Sequence, residues 1–194
     1  MERITNKYVF FWGSELSNWF ECRFRYKGIT FFNSEQAFMW EKAVYFGDMK
    51  VAEEILKTPS PSYCKALGKT VKNFDAAKWL PKGYEVMVAV NLAKFNQNSR
   101  LKHTLISTDN KIIVEASPYD TIWGIGLGSE DDRCLDESQW RGQNLLGKAL
   151  MDVRKKLRLP DSDNIISVIT TPEEQDAGKV KIVRIKYIND YDDE

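Results

Sequence analysis

Between a β-branched run at residues 111–116 and an apolar helical stripe at 144–157, residues 117–143 hold four glycines and much polar character. The segment lacks the apolar period of a strand or a helix, so it predicts a long ordered loop, which in a compact domain is usually functional. The helix that leaves it places Leu145, Leu146, Ala149, Leu150, Val153 and Leu157 on one face, and that face is expected to close the core. The loop opens with "VEASPYDTIWGIGLG" at 114–128, which sets Glu115 and Asp120 beside Trp123 and three alternating glycines.

The chain before this segment divides at its turn formers. Residues 8–32 alternate aromatic runs with Gly13-Ser14, Ser17-Asn18 and Lys27-Gly28, and predict short strands or loops. Asn33 can cap a helix, and Gln36 three positions on can complete a capping box; that helix runs to about Phe46 and stops at Gly47. A second helix starts at Asp48, carries Val51, Ala52, Ile55 and Leu56 on one stripe and ends before Pro59, and a third starts at Ser60-Pro61. Residues 84–96 are helical by period. Composition shifts after Pro160, where 165–170 and 179–187 predict a β-hairpin and 190–194 form an acidic tail. The expected organisation is one main domain over 1–160 with an extension over 161–194.

Composition narrows the classes of function. The chain has 194 residues, with 28 Lys+Arg against 28 Asp+Glu, so extensive contact with duplex nucleic acid is disfavoured, although a neutral total can hide a basic pocket. Cys22, Cys64 and Cys134 are widely spaced and His103 is the single histidine, which argues against a zinc site and for a reducing compartment. No apolar run approaches the roughly 20 residues that span a bilayer, and 1–15 lack a signal-peptide core. A cytoplasmic protein with no membrane partner is expected.

Two places hold candidate chemistry. Glu35 and Lys42, seven apart on a helix, share a stripe with Phe38, Met39 and Phe46. The pair fits a solvated face, or a carboxylate aimed into a pocket where burial raises its pKa toward useful acid-base values. In the loop, Gly124, Gly126 and Gly128 remove side chains along one face, so a ligand can approach the backbone and its amides can bind phosphate or a ribose hydroxyl. Asp120 also fits a simple turn residue after Ser117-Pro118, and Trp123 a core aromatic.

Read together, the fragments form an ordered series: "FFW" at 10–12, "LSNW" at 16–19, "FFNSEQ" at 31–36, "LGK" at 67–69 with Phe74 and Trp79, "AKF" at 93–95, "VEA" at 114–116, Asp120 with "WGIG" at 123–126, and "GQNLLG" at 142–147. This series resembles the NADAR superfamily, the YbiA-like proteins, over about residues 8–158. The resemblance implies an α+β, mostly helical, compact single domain that hydrolyses N-glycosidic bonds, the C-terminal β-hairpin being an appendage outside it. Family members act on phosphorylated intermediates of riboflavin biosynthesis or remove ADP-ribose from guanine in nucleic acid. By position it implies Glu35, Asp120 and Trp79 as catalytic residues. Lys69 stands where the family usually has Arg, and Ala37 where a larger residue is common; both bear on ligand preference.

A carboxylate near the anomeric carbon stabilises the positive charge that builds on ribose as a C1′–N bond breaks. Asp120 is accordingly expected at the ribose and water, and Glu35 in acid-base work. Trp123 is a candidate to stack on the base, Lys42, Lys69 and Lys94 to meet phosphate, and Asn18, Glu115, Gly124, Gly126 and Asn144 to line the substrate, with capping an equal account of Asn144 and an exposed helix position of Lys94. No metal or cofactor is expected. The expected partner is a small nucleotide-like substrate or an ADP-ribosylated nucleic acid; a module that binds ADP-ribose or NAD without cleaving it is the alternative, and oligomeric state is not readable.

Overall fold

A computed structural model describes residues 2–159, which form five strands and six α-helices. The hairpin and acidic tail expected over 161–194 lie outside the described residues. Strands β1 (Glu2–Ile4), β2 (Tyr8–Phe11) and β5 (Ile112–Glu115) make one sheet in the order β1-β2-β5, antiparallel and then parallel. β3 (Phe24–Tyr26) and β4 (Ile29–Phe31) form a separate hairpin whose turn, Lys27-Gly28, takes positive φ at both residues.

The parallel pair β2–β5 is buried on both faces, while edge strand β1 leaves Ile4 exposed. Val9, Phe11 and Ile113 belong to the main core with the helices, while Tyr8, Phe10, Val114 and Ala116 pack against Ile125, Leu127 and Cys134. The long loop 117–143, stiffened by two 3-10 turns at Asp132–Leu135 and Glu137–Gln139, therefore serves first as the cover of one sheet face.

Helix α1 (Ser34–Tyr45) begins and ends as the sequence predicts. Asn33 Oδ1 accepts from the Gln36 amide at 2.9 Å, and Gly47 leaves the helix with φ 75°. The capping box is shifted by one residue: Gln36 Oε1 accepts from the Phe32 amide, because its Nε2 donates to the carbonyls of Ile55 and Thr58. Asp48 caps α2 (Met49–Leu56), and Ser60 caps α3 (Pro61–Lys69).

α4 (Ala76–Gln97) starts two turns earlier than its period suggests. Asp75 accepts from the amides of Ala77 and Lys78, and Pro81 is exposed together with Ala77, so the carbonyl that loses its donor faces solvent. α5 (Ser99–Ser107) and β1 were not expected from the sequence. α6 (Leu145–Arg158) lies against β5 and α4 with the predicted stripe buried or half-buried. No helix among the described residues is long and apolar enough to cross a membrane.

Candidate active site

Glu35 occupies the first turn of α1, held there by its own amide, which donates to the Asn18 carbonyl at 3.0 Å. Its side chain is 6% exposed and its Oε1 has no hydrogen-bond partner among the described residues. Burial pushes its pKa up to about 7; Lys65 and the Trp19 side chain hold it down, and Asp120 adds to the rise. Glu35 is therefore not on a solvated face.

Glu115 ends β5, two residues after Ile113 and so on the helical side of the sheet. It is also buried, and burial first, then Asp120, raises its pKa to about 8 against the pull of Lys65. Asp120 is a turn residue with one carboxylate oxygen left over. Its Oδ1 accepts from the amides of Ile122 and Trp123, as a turn residue does, while Oδ2 lies 3.7 Å from Lys65 Nζ and the side chain is partly open. Three carboxyl groups from α1, β5 and the loop are therefore coupled around one lysine from α3. Lys65 is absent from the sequence-derived site because nothing in its neighbourhood on α3 distinguishes it; only the packing of α3 on α1 brings it here. Trp19 was visible in the "LSNW" fragment but carried no sign of its approach to Glu35.

Behind this cluster lies a buried polar network. Asn18 Nδ2 donates to Met87 Sδ, and its Oδ1 accepts from Asn91, which also accepts from the Ser34 hydroxyl. Asn18 thus orients the start of α1 through protein contacts. Lys94 is fully buried, donating to the carbonyls of Glu15 and Ser17 at 2.9 and 2.8 Å, and burial lowers its pKa to about 8. Neither the expected phosphate contact nor an exposed position fits a lysine so enclosed; it fixes the loop that carries Asn18 and Trp19. Lys42 donates to the Gly68 carbonyl and lies over the Phe74 ring, joining α1 to α3, whereas Lys69 is exposed at the end of α3.

The glycines correct another expectation. A Cβ on Gly124 would lie 2.9 Å from the Asp120 carbonyl oxygen, the Gly126 amide is spent on that same carbonyl, and a Cβ on Gly126 would meet Arg141 at 2.9 Å. Loop folding against itself, not ligand approach, excludes side chains there; Gly128 alone of the three is open. Asn144 stands at the N-cap position of α6 but its side chain does not cap the helix: left-handed at φ 54°, it accepts from the Glu115 amide and donates to the Ile113 carbonyl. It fixes the backbone that presents Glu115.

Trp79 is 7% exposed and packs on Phe38, whose opposite contact is the half-buried Trp123, ring centres 5.3 and 5.1 Å away. Trp79 is therefore a core wall, and Trp123 retains an open part. Exposed aromatic surface at the carboxylate side comes from Trp19, Tyr119 and Trp12, the last two in ring contact. Among the described residues no three His, Cys, Asp or Glu side chains are arranged to hold a metal ion.

This fold has counterparts in known proteins. N-glycosidase R617 of Acanthamoeba polyphaga mimivirus is 38% identical over 165 residues, 78% of this chain and 97% of the relative. Protein irg-1 of Caenorhabditis elegans is 44% identical over 133 residues, 68% of this chain and 63% of its own. The NMR structure of Escherichia coli YbiA superposes with a TM-score of 0.65 at 26% identity, covering 80% of this chain and 87% of that one. The NADAR domain model matches residues 10–158, so the chain belongs to the NADAR domain family.

Proposed function

We propose that this chain hydrolyses the N-glycosidic bond of an ADP-ribosyl or ribose-phosphate conjugate. The observation that carries the proposal is Glu35: a buried carboxyl with an unpartnered oxygen, poised near neutrality and coupled to Asp120 and Lys65. The name of the mimivirus relative, N-glycosidase, supports the same class of reaction.

As the C1′–N bond breaks, its electron pair leaves with the nitrogen and positive charge builds on the ribose. Asp120, partly open beside Lys65, is the group to stabilise that charge, and Lys65 keeps its carboxylate from repelling an anionic substrate outright. Water adds to C1′ and gives up a proton, while the departing nitrogen gains one. With a pKa near 7, Glu35 is suited to such proton traffic at neutral pH. Trp123 and Trp19 supply aromatic faces for the base, with Trp79 and Phe38 as backing. Lys42 and Lys69 remain the cations for phosphate. The same proposal places the reaction in the cytoplasm and makes it independent of metal.

The test is a paired assay of wild type and Asp120→Asn by mass spectrometry, in EDTA, on two conjugates: ADP-ribosylated guanine in a DNA oligonucleotide, and the riboflavin-pathway aminopyrimidine ribose phosphate. Release of free base by wild type alone supports the proposal and selects the substrate. Intact ligand bound but never cleaved would instead mark a binding module.

A further inference from the structure

We infer that Glu115 is the acid of the site, protonating the nitrogen that leaves C1′, while Glu35 takes the proton of the attacking water. The inference rests on the glycosidase proposal and assigns a role within it. Glu115 is 8% exposed, and its Oε2 is buried without a hydrogen-bond partner among the described residues, so their packing gains nothing from that atom. Its position is nevertheless fixed on both sides. Its amide donates to Asn144 at 3.0 Å and its carbonyl accepts from Ile125 at 3.1 Å. A rigidly held, buried and unsatisfied carboxyl among core residues weakens a fold unless a ligand completes it.

The groups facing Glu115 also divide the labour. Asp120 and Glu35 disfavour its charge, Lys65 favours it, and burial outweighs all three. Around Glu35, by contrast, Lys65, Trp19 and Lys42 favour the charged form and Asp120 opposes it, so Glu115 is the group that keeps its proton more firmly. Two carboxyls whose environments separate their proton affinities in this way are suited to opposite roles in one reaction. The balance closes: the Glu115 proton passes to the departing nitrogen as it receives the C1′–N electron pair, water forms the new C1′–O bond, and its proton passes to Glu35. Proton exchange with solvent then restores both groups.

The experiment compares wild type and Glu115→Gln on N-aryl ribosylamine 5-phosphates whose anilines carry increasing numbers of nitro groups. A nitrogen made less basic needs less protonation to depart. The variant should lose about 10²-fold in kcat/KM on the plain aniline, the loss shrinking toward parity across the series. In wild type, kcat/KM on any cleaved conjugate should fall above about pH 8, a limb that needs no variant to observe. An equal loss across the series, no loss, or no alkaline limb overturns the assignment. If wild type cleaves neither this series nor the two conjugates above, the glycosidase proposal itself fails; if wild type is active and Glu115→Gln matches it, only the role of Glu115 fails.

Discussion

Lys65 Nζ lies 3.7 Å from Asp120 Oδ2, joining helix α3 to the loop after β5 and placing one positive charge among three carboxyl groups. Lys65 lowers the pKa of both Glu35 and Glu115, so Lys65→Met should raise both. Acid-limb and alkaline-limb midpoints of kcat/KM should then move to higher pH, by up to about one unit. A pH profile with both limbs unmoved would show that Lys65 is not coupled to the glutamates.

The buried glutamates make stability fall with pH. The unfolded chain releases the Glu35 proton near its ordinary value of 4.5, whereas the folded chain keeps it to about 7, so between these values the native state binds more protons and weakens as pH rises. Glu35→Gln cannot ionise and escapes this loss. Its stability relative to wild type should rise from pH 5 to pH 8 by on the order of 2–3 kcal/mol, read from urea midpoints. A difference that stays constant would mean Glu35 is not desolvated.

Asn144 and Gly147 should be far less replaceable than Gly128. Asn144→Ala removes two buried hydrogen bonds and puts alanine in the left-handed region, a loss of about 3 kcal/mol. A Cβ on Gly147 would collide with the Ile113 carbonyl oxygen, so Gly147→Ala should displace α6 from β5 and lower the melting temperature sharply. Gly128→Ala meets nothing within 4 Å and should stay within about 0.5 kcal/mol of wild type in the same melts.

Lys94 reaches the chemistry only through the loop it holds. Lys94→Met leaves the Glu15 and Ser17 carbonyls without their donor and frees the segment bearing Asn18 and Trp19. Water admitted beside Glu35 should lower its pKa, so the acid limb of the rate profile should move to lower pH as kcat falls. A phosphate-binding lysine would instead raise KM for the phosphorylated substrate and leave that limb in place.

Local signals account for what was legible in the sequence. Asn33, Asp48 and Ser60 cap the helices they precede because a side-chain oxygen there reaches a free amide one turn on, a relation that spacing alone reveals. The first turns of α4 were hidden by Pro81, whose effect depends on which side of the helix faces water. The loop glycines look the same in sequence whether they admit a ligand or another strand of the loop; the carbonyls that crowd Gly124 come from folding. Glu35, Asp120 and Glu115 could be named because family-like fragments surround them, but Lys65 enters only when α3 packs on α1. Lys94 was misplaced because helical period does not say whether a lysine's end meets water or backbone carbonyls.

The most direct measurement is kcat/KM of Glu35→Gln against wild type at pH 7 on the cleaved conjugate, with melting curves on the same samples. A fall of about 10²-fold or more, in a variant at least as stable as wild type, is the result predicted for a carboxyl that moves a proton in the reaction. Turnover equal to wild type would contradict the account at its centre, leaving Glu35 a buried acid with no part in the chemistry.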